Sequence, residues 1–225
     1  GKTMAGDVSA LKGMPLAQLD LEQTRVSDLS PLKGAPLKAL NIKGTQVKNL
    51  EVLRDMPLTA LNMADTPVID LAPLAGKKFV SLNLARSRLS DLWLCKDMPL
   101  ETLNVDGTSV SDLSALKGMP LKNLSFSGTK VRDLSPLKGM ALSSLVLFGT
   151  QIIDLSALEG MPLKSLDLSG TGVTDLLPLK DMPLQSIVLP TTRTLDLKPL
   201  QGMRTLEKAE FDQVGVLLND ALKAL

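Results

Sequence analysis

Leu163–Pro183 reads LKSLDLSGTGVTDLLPLKDMP, and its pattern returns every 21 residues along almost the whole chain. The central threonine marks the phase. Thr24, Thr45, Thr66, Thr108, Thr129, Thr150, Thr171 and Thr192 share one column, and Ser87 fills the missing slot. A strict period of this length means stacked copies of one small unit, which buries its apolar side chains against its neighbours. The expected architecture is a solenoid, one continuous array rather than the one or two globular domains that 225 residues would otherwise suggest.

Each unit opens with the pattern LxxLxL. The first column runs from Leu16 to Leu184 with Phe79 as its one aromatic, and the second from Leu19 to Leu166 and then Ile187. The third is mixed and includes Ile42, Met63, Val105 and Phe126. Apolar residues two apart make a short strand with one face inward. The constant period requires these strands to stack parallel and in register. Three more apolar columns follow, headed by Val26, Leu29 and Leu32, and the Leu29 column is leucine at every position through Leu197. Burial at roughly 2 kcal/mol per aliphatic side chain supplies ample gross stabilisation before chain entropy is subtracted.

The threonine sits where the chain leaves the strand. Its hydroxyl can donate to one backbone carbonyl and accept from another backbone N–H. Next comes a run such as Asp28-Leu29-Ser30-Pro31-Leu32-Lys33-Gly34. Ser is a good helix N-cap, Pro suits the first helical position and Gly closes the turn. The few residues available suit a short 3₁₀ turn and not a long α-helix. The aspartate column, Asp28 to Asp196 with Asn49 in one slot, is expected to fix backbone N–H groups there.

The pattern LxxLxLxxTxVxDLSPLKGMP resembles the leucine-rich repeat in its short bacterial form. It is similar to the repeats of internalins and of phosphatase-regulating leucine-rich proteins, which usually carry Asn where this chain has Thr. The Thr variant with Lys-Gly-Met-Pro is also similar to repeats fused to bacterial serine/threonine protein kinases. The resemblance covers roughly residues 3–211 and implies an α/β fold. That fold is a right-handed solenoid with about nine parallel strands on a concave face and 3₁₀ turns on a convex face. Residues 1–15 read as a partial repeat whose first half is cut away, residues 16–204 as nine repeats, and residues 205–225 as a C-terminal cap. The phase slips by one residue after Gly202, so that Leu206, Ala209 and Phe211 carry the pattern. Beyond it Val214, Leu217, Leu218, Ala221, Leu222 and Leu225 have helical spacing, which predicts a covering helix.

Net charge is +1, so no strong field draws the chain to nucleic acid or to a membrane. Aromatics make up 2% of the chain, and His and Tyr are absent. Base-stacking platforms and His-based metal or catalytic sites are thereby excluded as readings. The expectation is a non-enzymatic monomer with no cofactor and no membrane insertion. The lone cysteine, Cys95, falls in the Leu32 column and reads as a small buried hydrophobe. One cysteine allows no intrachain disulfide and leaves the redox compartment open.

The resemblance implies that partners bind on the concave strand face. Outward positions there carry Asn41, Asn62, Asn83 and Asn104 on consecutive strands, flanked by the small Ala39, Ala60, Ala64 and Ala85. This polar track could hydrogen-bond an extended peptide or glycan, or it could serve as an amide ladder that solvates the sheet. Val146 and Phe148 are expected to point outward together, a candidate aromatic anchor. Arg86 and Arg88 are expected beside the same edge. On the convex side a basic column, including Lys12, Lys33, Arg54, Lys96, Lys117, Lys138 and Lys180, follows each turn. It complements the turn dipole, or it meets an anionic partner. The fourth unit breaks several columns at once, with Trp93 for Ser30 and Leu94 for Pro31, by drift or at a contact.

The expected function is a protein-interaction module that binds a protein or peptide through the concave sheet. The alternative implied by the resemblance is a sensor or docking region of a multidomain kinase-like signalling protein. A second alternative is an anionic partner on the convex basic stripe.

Overall fold

Each strand centres on the second leucine of LxxLxL, because alternation places that leucine on the inner face and its two neighbours on the outer. The computed structural model describes residues 6–192 and 194–212. Ten strands lie in one sheet, in chain order and all parallel. They are β1 (Gln18–Asp20), β2 (Ala39–Asn41), β3 (Ala60–Asn62), β4 (Ser81–Asn83) and β5 (Thr102–Asn104), followed by β6 (Asn123–Ser125), β7 (Ser144–Val146), β8 (Ser165–Asp167), β9 (Ser186–Leu189) and β10 (Lys208–Phe211).

Register follows the repeat: Leu19 pairs with Leu40, Leu40 with Leu61, and so on to Leu166 with Ile187. At the last pair Ile187 faces Ala209, one residue beyond the regular period. That is the phase slip read from the sequence, and it adds a tenth strand to the nine repeats. The Thr205 hydroxyl bonds the Leu184 carbonyl at 2.8 Å just before it. The expected C-terminal helix, Val214 to Leu225, lies outside the described residues.

Every repeat then makes a three-residue 3₁₀ turn, such as Ser30–Leu32, Ser135–Leu137 or Ser156–Leu158. Residues 6–15 carry a turn of the same kind, Ser9–Leu11. No longer helix occurs among the described residues. The serine is not the cap that its residue type suggests. The N-cap position is the inward leucine, as at Leu29, and the serine is the first residue of the turn. The aspartate two residues before it supplies the acceptor: Asp28 Oδ1 receives the Ser30 N–H, and Asp133 Oδ1 the Ser135 N–H, both at 2.8 Å. The same bond recurs from Asp7 to Asp196, with Asn49 serving Glu51. A short side chain two residues upstream reaches the N–H that the turn leaves bare.

The threonine hydroxyl bond is internal to each repeat. Thr45 donates to the Ile42 carbonyl, Thr108 to Val105 and Thr129 to Phe126, each at 2.7 Å. The group sits in a dry stack, since Thr45, Thr66, Thr108, Thr129, Thr150 and Thr171 are all buried. The six apolar columns fill the core continuously from Val8 to Ala209. Phe79 and Phe126, the largest buried side chains, occupy positions that are leucine or another aliphatic in most repeats.

Candidate protein-interaction surface

The sheet's outer face is built from the residues on either side of each strand's central leucine, such as Ala39 and Asn41. Asn41, Asn62, Asn83 and Asn104 lie there in direct register, on strands about 4.8 Å apart. Each bends back on its own chain. Asn41 Oδ1 accepts the Lys43 N–H at 3.1 Å, Asn62 the Ala64 N–H at 3.2 Å, Asn83 the Ala85 N–H at 3.0 Å and Asn104 the Asp106 N–H at 2.8 Å. A backbone N–H can only donate, so the amide oxygen must face it and the NH2 group must face out. The row is therefore directional, a line of donors with its acceptors already engaged. Asn41 gives its NH2 to Glu22 at 3.2 Å, and Glu22 also pairs with Lys43 at 3.0 Å. The NH2 groups of Asn62, Asn83 and Asn104 point into a shallow groove of about 680 Å³, where Ala39, Ala60 and Ser81 keep the walls low. Ala64 and Ala85 lie buried beneath that edge.

The donor row ends at Asp106. Its Oδ1 accepts from the Ser125 hydroxyl and from the Ser127 N–H, both at 2.6 Å. Beyond it the face turns apolar: Val146 is half-buried on β7 and Phe148 is 53% exposed. The Phe148 ring lies over bare backbone, and a Cβ added at Gly170 would come within 3.7 Å of its Cε2 atom. Arg86, Asp106, Ser127, Val146, Phe148 and Asp167 line one depression of about 430 Å³. Repeat stacking thus joins an arginine and an aromatic that are 62 residues apart in sequence.

Arg86 is held unusually. Its φ is +56°, in the column where Gly44, Gly107, Gly128, Gly149 and Gly170 take similar positive values. A side chain in the left-handed region is disfavoured. Its Nη1 pairs with Asp65 Oδ1 at 2.8 Å, and Asp65, one repeat earlier, has the same backbone conformation. The glycine column was a visible signal for this position. Asp106, the acceptor that links β5 to β6, had no such signal.

Arg88 parts from Arg86. It leaves the sheet face and lines a separate hollow of about 250 Å³ with Ile69, Ser87 and Trp93, among others, on the flank leading to the 3₁₀ turn. The lysines of the basic column each occupy the C-cap of a 3₁₀ turn, as at Lys33, Lys117 and Lys138. Beside them the aspartates are held in the ionised form. Hydrogen bonds from the Ser30 N–H and hydroxyl keep the Asp28 carboxyl below its usual range, and the Ser114 hydroxyl and N–H do the same for Asp112. Burial pushes the Cys95 thiol up to about 12. Among the described residues no cluster of three or more His, Cys, Asp or Glu could hold a metal ion, and no helix is long and apolar enough to cross a membrane.

In sequence the chain matches no protein-family profile and no curated protein. In structure it is similar to three internalins of Listeria monocytogenes. Internalin InlF superposes with a TM-score of 0.78 at 23% identity, over 93% of this chain and 71% of the other. Internalin C2 gives 0.70 at 22% identity, over 87% and 80%. The functional domain of InlJ, described as including a cysteine ladder, gives 0.52 at 18% identity, over 87% of this chain and 53% of that one. With a single cysteine, this chain has no such ladder, and a threonine column is its repeating polar feature. These likenesses establish the leucine-rich-repeat solenoid fold.

Proposed function

We propose that the chain is a non-catalytic protein-interaction module whose outer, concave sheet face binds a protein or peptide. One observation carries this reading: Val146, Phe148 and Arg86 share a single depression at the end of an outward-facing amide row. An exposed aromatic beside a cation is the composition of a binding hot spot, where Trp, Tyr and Arg anchors dominate. The donor row suits a partner that presents oxygen acceptors, such as an extended peptide crossing the strands. Phe148 at the strand end is 53% exposed and contributes little to the core, so its ring is open to contact.

The test is Phe148→Ala. Partner affinity is expected to fall by more than about 1 kcal/mol, with the unfolding midpoint nearly unchanged. Lys117→Ala, at a turn C-cap on the opposite side, is expected to change neither. Normal binding by Phe148→Ala together with weakened binding by the lysine variant would reject the concave reading and favour an anionic partner on the basic column.

A further inference from the structure

The hollow on the flank of the fourth unit is untouched by the concave reading, and three departures from the repeat meet there. Ile69 stands where neighbouring repeats have Lys48 or Ser90. Ser87 replaces the threonine, and Trp93 replaces the turn serine. Stacking brings all three around one space of about 250 Å³, with Arg88 beside them.

Ser87 is the decisive residue. It is 8% exposed and its Oγ is buried without a hydrogen-bond partner. Thr66 and Thr108, on either side in the column, satisfy theirs with their own carbonyls at 2.8 and 2.7 Å. A buried hydroxyl without a partner is uncommon in folded proteins, and among the described residues Ser87 shares that state only with Thr192. Arg88 is exposed and makes no ion pair among the described residues. Two carboxylates of the same lining are engaged locally: Asp70 Oδ1 accepts the Ala72 N–H at 2.9 Å and Asp91 Oδ1 the Trp93 N–H at 3.1 Å. Arg88 is the one cation of the lining and the group that receives an anion. Ile69 and Trp93 are 67% and 58% exposed, an apolar pair without cover.

We infer that this hollow is a second recognition site, which takes an aliphatic side chain and an adjacent Asp or Glu side chain from a protein partner. The aliphatic group lies between Ile69 and Trp93. The carboxylate pairs with the Arg88 guanidinium, and the Ser87 hydroxyl, buried without a partner, turns about its side-chain torsion to donate to it. The space, below the range of small-molecule sites, takes the aliphatic side chain, and the carboxylate stays at the rim beside Arg88. The array contains its own control. Four repeats on, Ile153 and Leu177 are again exposed and apolar, but Gly172 replaces Arg88 and the Thr171 hydroxyl is satisfied by the Leu168 carbonyl at 2.6 Å. Among the described residues, only the hollow beside the fourth unit combines the apolar pair with a free cation and an unpaired hydroxyl.

Trp93 reports on the site directly, since the chain has one Trp and no Tyr. The probe is the blocked peptide acetyl-Gly-Leu-Asp-Gly-amide, titrated to about 10 mM, where a single-side-chain contact becomes measurable. A saturable blue shift of Trp93 emission is expected, weakened at least about tenfold by Arg88→Met, by Ser87→Ala and by a Leu-Asn peptide. Phe148→Ala should leave it unchanged, which separates this site from the concave one. Acetyl-Gly-Leu with a free carboxy terminus should bind more weakly than the Leu-Asp peptide. A stronger response to it would overturn the assignment to an acidic side chain. No saturable shift, an equal response to Leu-Asn, or a shift that survives Arg88→Met would overturn the site.

Discussion

Residues 121–141 and residues 79–99 are corresponding repeats of one array, and they keep different parts of the pattern. In the first, Thr129 bonds the Phe126 carbonyl at 2.7 Å, Asp133 caps the Ser135 turn and Leu137 is fully buried. In the second, the Ser87 hydroxyl has no partner, Trp93 and Leu94 replace Ser and Pro, and Cys95 replaces the leucine. The coil is nevertheless the same, a strand at Ser81–Asn83 and a 3₁₀ turn at Trp93–Cys95. What both units share is the inward set, including Leu82, Leu84 and Leu92 in the second, and the aspartate cap, here Asp91 to the Trp93 N–H. Inward columns and the cap therefore hold the path of the chain. The hydroxyl and the outward turn residues add stability but do not define the path, and they are where a repeat can diverge to acquire a surface.

The sharpest test compares the two units at one column. Leu137→Ala removes a fully buried leucine and is expected to cost about 2–5 kcal/mol. Cys95→Ala removes only one sulfur from the equivalent place and should cost about 1 kcal/mol. Denaturant midpoints at unchanged m-values measure both. Equal costs would mean that the fourth unit packs as tightly as the regular ones.

The hydroxyl column gives the next effect. Thr129→Val keeps the shape and leaves a buried carbonyl without its donor, an expected loss of about 1–3 kcal/mol. Ser87→Ala removes a hydroxyl that bonds nothing, and stability should hold or rise slightly. A loss at Ser87 matching that at Thr129 would show that its hydroxyl is satisfied in solution.

The caps predict a smaller, pH-dependent effect. The Ser135 hydroxyl and N–H hold the Asp133 carboxyl below its usual range, and Asp7 is lowered in the same way by Ser9. A carboxyl lowered in the folded state stabilises above its unfolded value of about 4, and that contribution is lost as pH falls through the lower folded value. Unfolding midpoints should decline in acid below about pH 4. Asp133→Asn keeps the acceptor, as Asn49 does for the Glu51 N–H at 2.8 Å, so it should soften the acid decline with little change at neutral pH. A steeper acid decline in that variant would refute the cap account.

The smallest effect expected is none. Cys95 is buried with its thiol pushed up to about 12, so alkylating reagents should label it only as the protein unfolds. Rapid labelling under native conditions would show that the fourth unit opens locally.

Much of the candidate surface was legible in the strand alternation. Asn41, Asn62, Asn83 and Asn104 stand outward in register as their column requires. Phe148 is exposed for the same reason, one residue past an inward leucine. Two things were not legible. The amides bond the backbone two residues on rather than one another, because that N–H lies closer than the next strand's side chain. Arg86 and Arg88, two residues apart, reach different sites, because the left-handed backbone at Arg86 redirects the chain between them.

The sequence by itself determined the repeat, the strand positions, the inward columns, the short turns and the slip before the tenth strand. Each of these follows from periodicity, since a unit that buries its leucines only against identical neighbours has one way to stack. Tertiary structure alone decided which outward residues meet. Ile69 with Trp93, and Arg86 with Phe148, lie 24 and 62 residues apart in the chain. They become neighbours because each repeat advances the stack by only about one strand spacing, so that side chains several repeats apart remain within reach of one another.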